Sequence, residues 1–420
     1  YKSNNNWDYY PTYNKYSEMM QAYSDSFPEI CKLHRLGTLN SGREILILQI
    51  SNNVGQKENE PSFLYTSSMH GNELAGYILS LRLIDYILEG YGNNQRLTNL
   101  VNEIDIWINP LANPDGAYAG GNQDVWSATR YNANGVDLNR NYPDPEDGPN
   151  SSNQTETNIF LGLSDTVNFS ISANMHGGAE VCNYPWDTWS TLTADDNWWQ
   201  YVSHEYADSC QANSGSGYFN YLNDGTTNGN DWYEVNGGRQ DYMNYFRYCR
   251  EFTLELSDDK IPDPNDLPEL WEANYPSLLN YMQQSLYGLR GVVTDSITAN
   301  PLKAKIEIIG YDIDSSHIYS NLPIGNYHRY LYQGNYDVTF SKSGYYSKTI
   351  NTTILNNMST VGDVQLVPLN STPTSITEKI RSNDENLFID ILGKETKSTS
   401  NIPLLYINKD RAVEKRIVIE

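Results

Sequence analysis

The stretch Ser62 to Tyr77, SFLYTSSMHGNELAGY, constrains the fold more than any other part of the chain. Phe63, Leu64, Tyr65 and Thr66 have the aromatic and β-branched character of a strand interior. From Glu73 onward, ELAGYILSLRLIDYIL, apolar residues recur at helical spacing, which predicts a helix starting near Asn72. His70 and Glu73 lie between the two elements. One helical turn would aim both side chains at one point, as a metal pair requires. Gly71 leaves the backbone free to turn there. A polar helix cap is the other reading of the same residues.

Further segments extend this strand and helix into a sheet. Ile104 to Ile108, Phe169 to Met175 and Arg250 to Leu256 read as buried strands, and Leu33 to Gly37 with Ile45 to Ile50 as a hairpin turning at Asn40-Ser41-Gly42. Helices are expected over Tyr16 to Phe27 and around Leu267 to Tyr287. Strands alternating with helices define an α/β fold with a mixed, mostly parallel sheet flanked by helices, in which ligands gather at the carboxyl ends of strands.

After Gly288 the pattern changes to short alternating segments with Gly or Asn turns, as in a small β-sandwich. The expected division is 1–288, an α/β domain; 289–368, the sandwich; 369–379, a polar linker; and 380–420, a short β extension carrying FIDILGK, LLYIN and EKRIVIE. A chain of 420 residues has room for such an arrangement, and 39% hydrophobic and 12% aromatic residues suit a globular protein.

The net charge of −24 argues against nucleic acid as a partner and favours cationic ones. No apolar run approaches the roughly eighteen residues of a membrane span. Because the chain starts at Tyr1 and not at Met, it reads as a processed form. Its four cysteines, Cys31, Cys182, Cys210 and Cys249, include no C-x-x-C pair, which speaks against a thiolate metal site. They permit either a disulfide, with Cys182 and Cys210 the favoured partners, or buried free thiols.

Four features collect at the strand ends. His176, in NMHGG, follows the 169–175 strand and suits a third metal ligand, with two glycines allowing backbone close to an ion; a hydrogen-bonded loop histidine fits equally. Two nitrogens and a carboxylate would leave zinc an open fourth position. In REFTLEL, Glu251 and Glu255 share one strand face, and either carboxylate would serve as a proton acceptor beside a metal. The loop TRYNANGVDLNRNYPD concentrates Arg130, Asn139, Arg140 and Asn141, and Arg suits bidentate binding of a carboxylate. The segment DWYEVNGGRQDYMNYF has Tyr233 before a Gly237-Gly238 hinge, the pattern of a mobile lid.

Taken in order, HGNE, NPDG, DLNRNYPD, NMHGGAEVCNYPWD, YEVNGGRQD and FTLELS resemble the zinc metallocarboxypeptidases, over roughly residues 10 to 367. The likeness is narrowest to the N/E branch, in which a transthyretin-like β-sandwich follows the catalytic domain. It implies one zinc ion per chain held by His70, Glu73 and His176, with Glu255 as general base and Glu251 in a structural role. Arg130 would stabilise the oxyanion, Asn139 and Arg140 would hold the substrate's terminal carboxylate, and Tyr233 would be the lid tyrosine. Asp187 and Gln240 match the positions that receive a basic C-terminal side chain, with Asp241 at the base of that pocket.

Two departures stand out. Arg239 replaces the Met of the relatives' GGMQD, and QDYMNYF is one residue longer than QDYNY. At the pocket rim, such a cation would weaken a preference for basic ends. Phe388 to Glu420, with DILGK and EKRIVIE, resembles the C-terminal sorting domains of the type IX secretion system of Bacteroidetes.

The resemblance therefore implies a secreted or cell-surface exopeptidase that acts on peptides or proteins with a free C-terminus and releases Lys or Arg. An amidase for cell-wall or small acyl-amino-acid substrates on the same scaffold is the alternative, and an inactive binding protein the remote one.

Overall fold

Eight strands form the main sheet of the computed structural model: β1 (Cys31–Thr38), β2 (Glu44–Ile50), β3 (Ser62–Ser67), β4 (Asp105–Asn109), β5 (Phe169–His176), β6 (Ala179–Tyr184), β7 (Thr226–Asn228) and β8 (Arg250–Ser257). The structure describes residues 6–150, 152–215 and 217–369, together with four short strands further on. The spatial order is β1-β2-β4-β3-β5-β8-β6-β7. At its centre β4, β3, β5 and β8 run parallel, while β1, β2 and β6 pair antiparallel with their inner neighbours.

Both faces of the sheet are covered, which explains the continuous apolar runs of the central strands. Phe63 and Tyr65 face one core with helices Tyr13–Ser26, Ala75–Gly90, Asp196–Ala212 and Leu267–Gln284. Leu64 faces the other, beneath helices Thr155–Thr166 and Arg239–Arg247.

The helix after β3 starts at Ala75, later than the apolar spacing suggests. His70 and Glu73 therefore sit in a tight turn and not on a helix face. The Glu73 amide donates to the His70 carbonyl (3.0 Å), while the Leu74 amide is taken by the Lys260 carbonyl (2.8 Å). Gly71 is required there by contact: a Cβ would lie 2.3 Å from the Gly116 backbone.

Strands β6 and β7 are additions to the expected set; β6 follows directly on the two glycines of NMHGG. All four cysteines are buried free thiols, so the Cys182–Cys210 disulfide is not formed. Burial pushes the Cys210 thiol up to about 12 and that of Cys182 well above its ordinary value.

From Gly288 to Leu366 the chain forms two small sheets around their own core, which includes Leu289, Ile306, Tyr327 and Phe340. Asp195 joins this lobe to the main sheet. It accepts from Arg250 of β8 (2.7 Å) and from Arg329 of the strand Asn326–Arg329 (2.7 and 2.9 Å), and Arg329 also reaches Asp312 (2.6 Å).

Pro368–Glu420 is a separate compact unit. Within it Leu387–Ile389, Glu395–Thr396, Pro403–Ile407 and Val413–Ile417 form an antiparallel sheet. The expected linker lies outside the described residues apart from Leu369. No helix among the described residues is long and apolar enough to cross a membrane.

Candidate metal centre and substrate cleft

Adjacent parallel strands bring the ends of β3 and β5 together, and with them His70, Glu73 and His176. The Nδ1 atoms of His70 and His176 lie 3.0 Å apart, and Glu73 Oε2 is 2.8 Å from the first and 2.9 Å from the second. All three side chains are buried. Among the described residues this is the one group of three potential ligands placed to share a cation. Burial opposes charge on Glu73, yet the two imidazoles outweigh it and hold the carboxyl well below its ordinary range. Burial also pushes His176 down to about 4, which keeps it neutral as a ligand must be. Two imidazole nitrogens and a carboxylate converging on one buried point suit zinc with a position left for substrate.

Each histidine is held at its second nitrogen, which fixes ring orientation. His70 Nε2 lies 3.0 Å from Asp137 Oδ1, and His176 Nε2 lies 2.8 Å from the Asn174 amide. Asp137 Oδ2 accepts from Arg130 Nε at 2.9 Å, and Arg130 also reaches Glu73 Oε1 (3.3 Å). Lys260 Nζ contacts the same Glu73 oxygen at 2.6 Å.

Pattern reasoning on candidate roles passed over Asp137, Asn174 and Lys260. Asp137 and Asn174 stand inside DLNR and NMH, where a carboxylate or amide able to orient a ligand imidazole is a detectable signal. Lys260 carries none, because SDDK reads as an exposed charged turn.

β8 lies beside β5, with Glu255 paired in register with His176. The two glutamates left open by the alternation are now separated. Glu255 lines the cleft with His70, Glu73 and Arg130, and its Oε2 has no hydrogen-bond partner among the described residues. Burial, then the charge of Glu73, raises its carboxyl well above the ordinary value, opposed by Lys260 and Arg130. Glu251 instead lies deeper on the same sheet face, away from the ligand cluster, bound to Ser172 (2.6 Å) and Arg239 (3.0 Å). Arg239 is 1% exposed and so cannot act as a cation at the pocket rim. Its long side chain turns inward because Glu251 and Thr66 offer acceptors there.

Asp187 (3% exposed) follows β6 and accepts from Asn183 Nδ2 at 3.1 Å and Gln240 Nε2 at 3.0 Å. Asp241 takes the backbone amides of Asp187 and Thr188, so it supports the loop from below. Burial and then the Asp241 charge raise Asp187 well above the ordinary carboxylate value, and burial takes Asp241 up to about 6. Asn139 and Tyr233 line the same cleft, whose cavity measures about 140 Å³. Tyr233 is half exposed, packed edge-on against Trp232 (5.0 Å). Gln240 and Asp241 are buried beside this lining, and Arg140, next to Asn139 in the chain, is partly exposed. The Arg140 guanidinium donates to the Asn139 carbonyl (2.8 Å), and its charge acts on both Asp187 and Tyr233. A larger cavity of about 390 Å³ lies beside Trp107 and His328 and contains none of these groups.

Fold and site together define a metallocarboxypeptidase. Residues 16–277 match the family model described as zinc carboxypeptidase, and the chain belongs to that family. It is 35% identical over 378 residues to the carboxypeptidase N catalytic chain of Mus musculus, covering 81% of this chain and 82% of that one. Against carboxypeptidase D of Homo sapiens it is 35% identical over 351 residues, 80% of this chain and 25% of that longer protein. Among solved structures, carboxypeptidase A from Helicoverpa armigera superimposes with a TM-score of 0.58 at 20% identity, covering 68% of this chain and 76% of that one. Thrombin-activatable fibrinolysis inhibitor gives 0.59 at 16% identity, covering 67% and 76%. These two likenesses concern the fold.

Proposed function

We propose that the protein is a secreted zinc carboxypeptidase that removes one residue, Lys or Arg, from the C-terminus of peptides and proteins. The preference for basic ends rests on Asp187, a buried acid that forms no ion pair among the described residues. A desolvated carboxylate with amide donors on one oxygen and no cation of its own is a seat for an incoming one.

His70, Glu73 and His176 would hold one zinc ion, which supplies Lewis acidity toward the scissile carbonyl and toward water. Glu255, its Oε2 unpartnered, accepts the proton of the attacking water and passes it to the leaving amine. Arg130, oriented by Asp137, faces the carbonyl oxygen as it gains negative charge. Asn139 and Arg140 bind the terminal carboxylate, which confines hydrolysis to the last peptide bond. Tyr233 covers the cleft once it is filled. Gln240 fixes Asp187, and Asp241 fixes the loop that carries it.

We read residues 1–288 as the catalytic domain, 289–368 as a transthyretin-like β-sandwich, 369–379 as a linker and 380–420 as a sorting extension. Two sheets around one core support the second of these, and the DILGK and EKRIVIE motifs the last. Secretion follows from that extension. The net charge of −24 would draw basic peptides to the surface in a salt-sensitive way.

The test is amino-acid release by zinc-loaded protein from peptides ending in Lys, Arg, Phe or Glu. Basic ends should exceed Phe by roughly a hundredfold in kcat/KM. Equal rates on Phe would refute the specificity, and no release from any peptide would refute the reaction.

A further inference from the structure

The main sheet carries three rows of polar side chains on one face below the metal site. Ser172 pairs in register with Glu251, Asn174 with Thr66 and Thr253, and His176 with Glu255. Arg239 spans the first two rows. One guanidinium nitrogen binds Glu251 Oε2 at 3.0 Å, another donates to the Thr66 hydroxyl, and the group lies over the Phe160 ring at 5.4 Å. The Thr66 hydroxyl donates to Asn174 Oδ1 at 3.1 Å, and Asn174 Nδ2 lies 2.8 Å from His176 Nε2. All six polar side chains of this path, Glu251, Arg239, Thr66, Asn174, His176 and Ser172, are buried.

We propose that Arg239 is a positioning residue for the metal ligand His176, acting through Thr66 and Asn174. The inference rests on the zinc reading of the His70–Glu73–His176 cluster. His176 turns Nδ1 toward the ligand cluster, so in the metal-ready tautomer its proton sits on Nε2 and needs an acceptor. Both orientations of the Asn174 amide make the same two contacts. That tautomer requires the amide to turn over from its orientation in the structure, which brings oxygen onto His176 and the NH2 group onto Thr66. Thr66 Oγ1 then receives N–H groups from both Asn174 and Arg239, filling its two lone pairs.

A guanidinium only donates, so Arg239 occupies one lone pair of Thr66 Oγ1 and holds that atom in place beside the Asn174 amide. Glu251 anchors the guanidinium from the far side. A buried ion pair is weak evidence for added stability, since apolar side chains often replace one without loss. What an apolar side chain at 239 cannot do is hold the Thr66 hydroxyl.

Two variants break the path without leaving a lone buried charge. Thr66→Val keeps shape and removes the hydroxyl; the double variant Arg239→Met with Glu251→Gln removes the ion pair. Zinc affinity is read by chelator competition on folded apoprotein, with circular dichroism recorded alongside, and kcat and KM are then taken at saturating zinc. Both variants should bind zinc about tenfold more weakly or worse. Each should also lose kcat with KM nearly unchanged, whereas Thr66→Ser, which retains the hydroxyl, should behave as the native chain. Folded Thr66→Val with native zinc affinity would overturn the proposal, and so would Thr66→Ser losing as much as Thr66→Val. Native protein that binds no zinc would instead overturn the metal reading beneath it.

Discussion

Gly229 and Asp187 are packed so closely that a Cβ on the glycine would lie 1.8 Å from Asp187 Oδ1. The carboxylate occupies the space that any side chain at 229 would need. Because the clash is with the end of a side chain, Gly229→Ala should fold while displacing Asp187 from Asn183 and Gln240. Turnover of peptides ending in Arg should fall at least about tenfold in kcat/KM, with a smaller change for Phe. Comparing the two substrates in native and variant protein checks this; equal losses would mean general damage to the cleft.

Asp187 also makes the specificity pH-dependent. Its carboxyl is raised by burial and by Asp241, so on acidification it takes up a proton earlier than an ordinary carboxylate and loses its attraction for a cation. The ratio of basic to neutral turnover should therefore decline on acidification before unperturbed carboxylic acids titrate. For stability the sign is opposite. A buried acid raised to about 6, as Asp241 is, contributes stability at low pH that is lost as pH rises through that value. Rate ratios across pH test the first point, and a flat ratio would contradict it.

Glu255 and the ligand cluster separate binding from chemistry. Glu255→Gln keeps the shape of the side chain and removes the proton acceptor, so kcat should drop by about three orders of magnitude or more with zinc content unchanged. Metal analysis beside single-turnover rates decides the matter. Near-native turnover would remove Glu255 from its role.

How much of this was readable in advance follows from how local each signal is. The central strands announce themselves because sheets covered on both faces need unbroken apolar runs, as in Phe63 to Thr66. The helix start was misplaced because spacing alone does not reveal that Leu74 gives its amide to Lys260, far away in sequence. Choosing between Glu251 and Glu255 required knowing what covers the sheet, since alternation gives both the same face. Arg239 looked like a surface charge at a glycine turn, and only the third dimension supplies Glu251 beneath it. The cysteines show the same limit: an even count says nothing about whether two thiols meet.

The seam between the two lobes of Tyr1–Val367 hangs on buried charge. Arg329 is fully buried and carries two carboxylate partners, Asp195 and Asp312, while Arg250 shares the first. Arg329→Met leaves two carboxylates with a single cation, which should cost roughly 3–5 kcal/mol of stability. Thermal unfolding of the variant should show a clearly lowered midpoint. An unchanged midpoint would mean that the seam is held by packing alone.

Asp137 offers the sharpest test of how the metal centre is built, because one carboxylate holds two functional groups. Oδ1 faces His70 Nε2 at 3.0 Å and also accepts the Asn139 amide at 2.9 Å, while Oδ2 binds Arg130 Nε at 2.9 Å. Asp137→Asn retains one acceptor oxygen and replaces the other with a donor. Either the His70 contact or the Arg130 contact must then be lost. Zinc affinity should weaken by about 10- to 100-fold if the amide turns its NH2 toward His70. If it turns toward Arg130, zinc binding should survive and kcat should fall instead, by about tenfold to a hundredfold, because the guanidinium no longer has a fixed direction. Chelator competition and steady-state kinetics on the same preparation distinguish the two outcomes, and native values in both assays would show that Asp137 orients neither group.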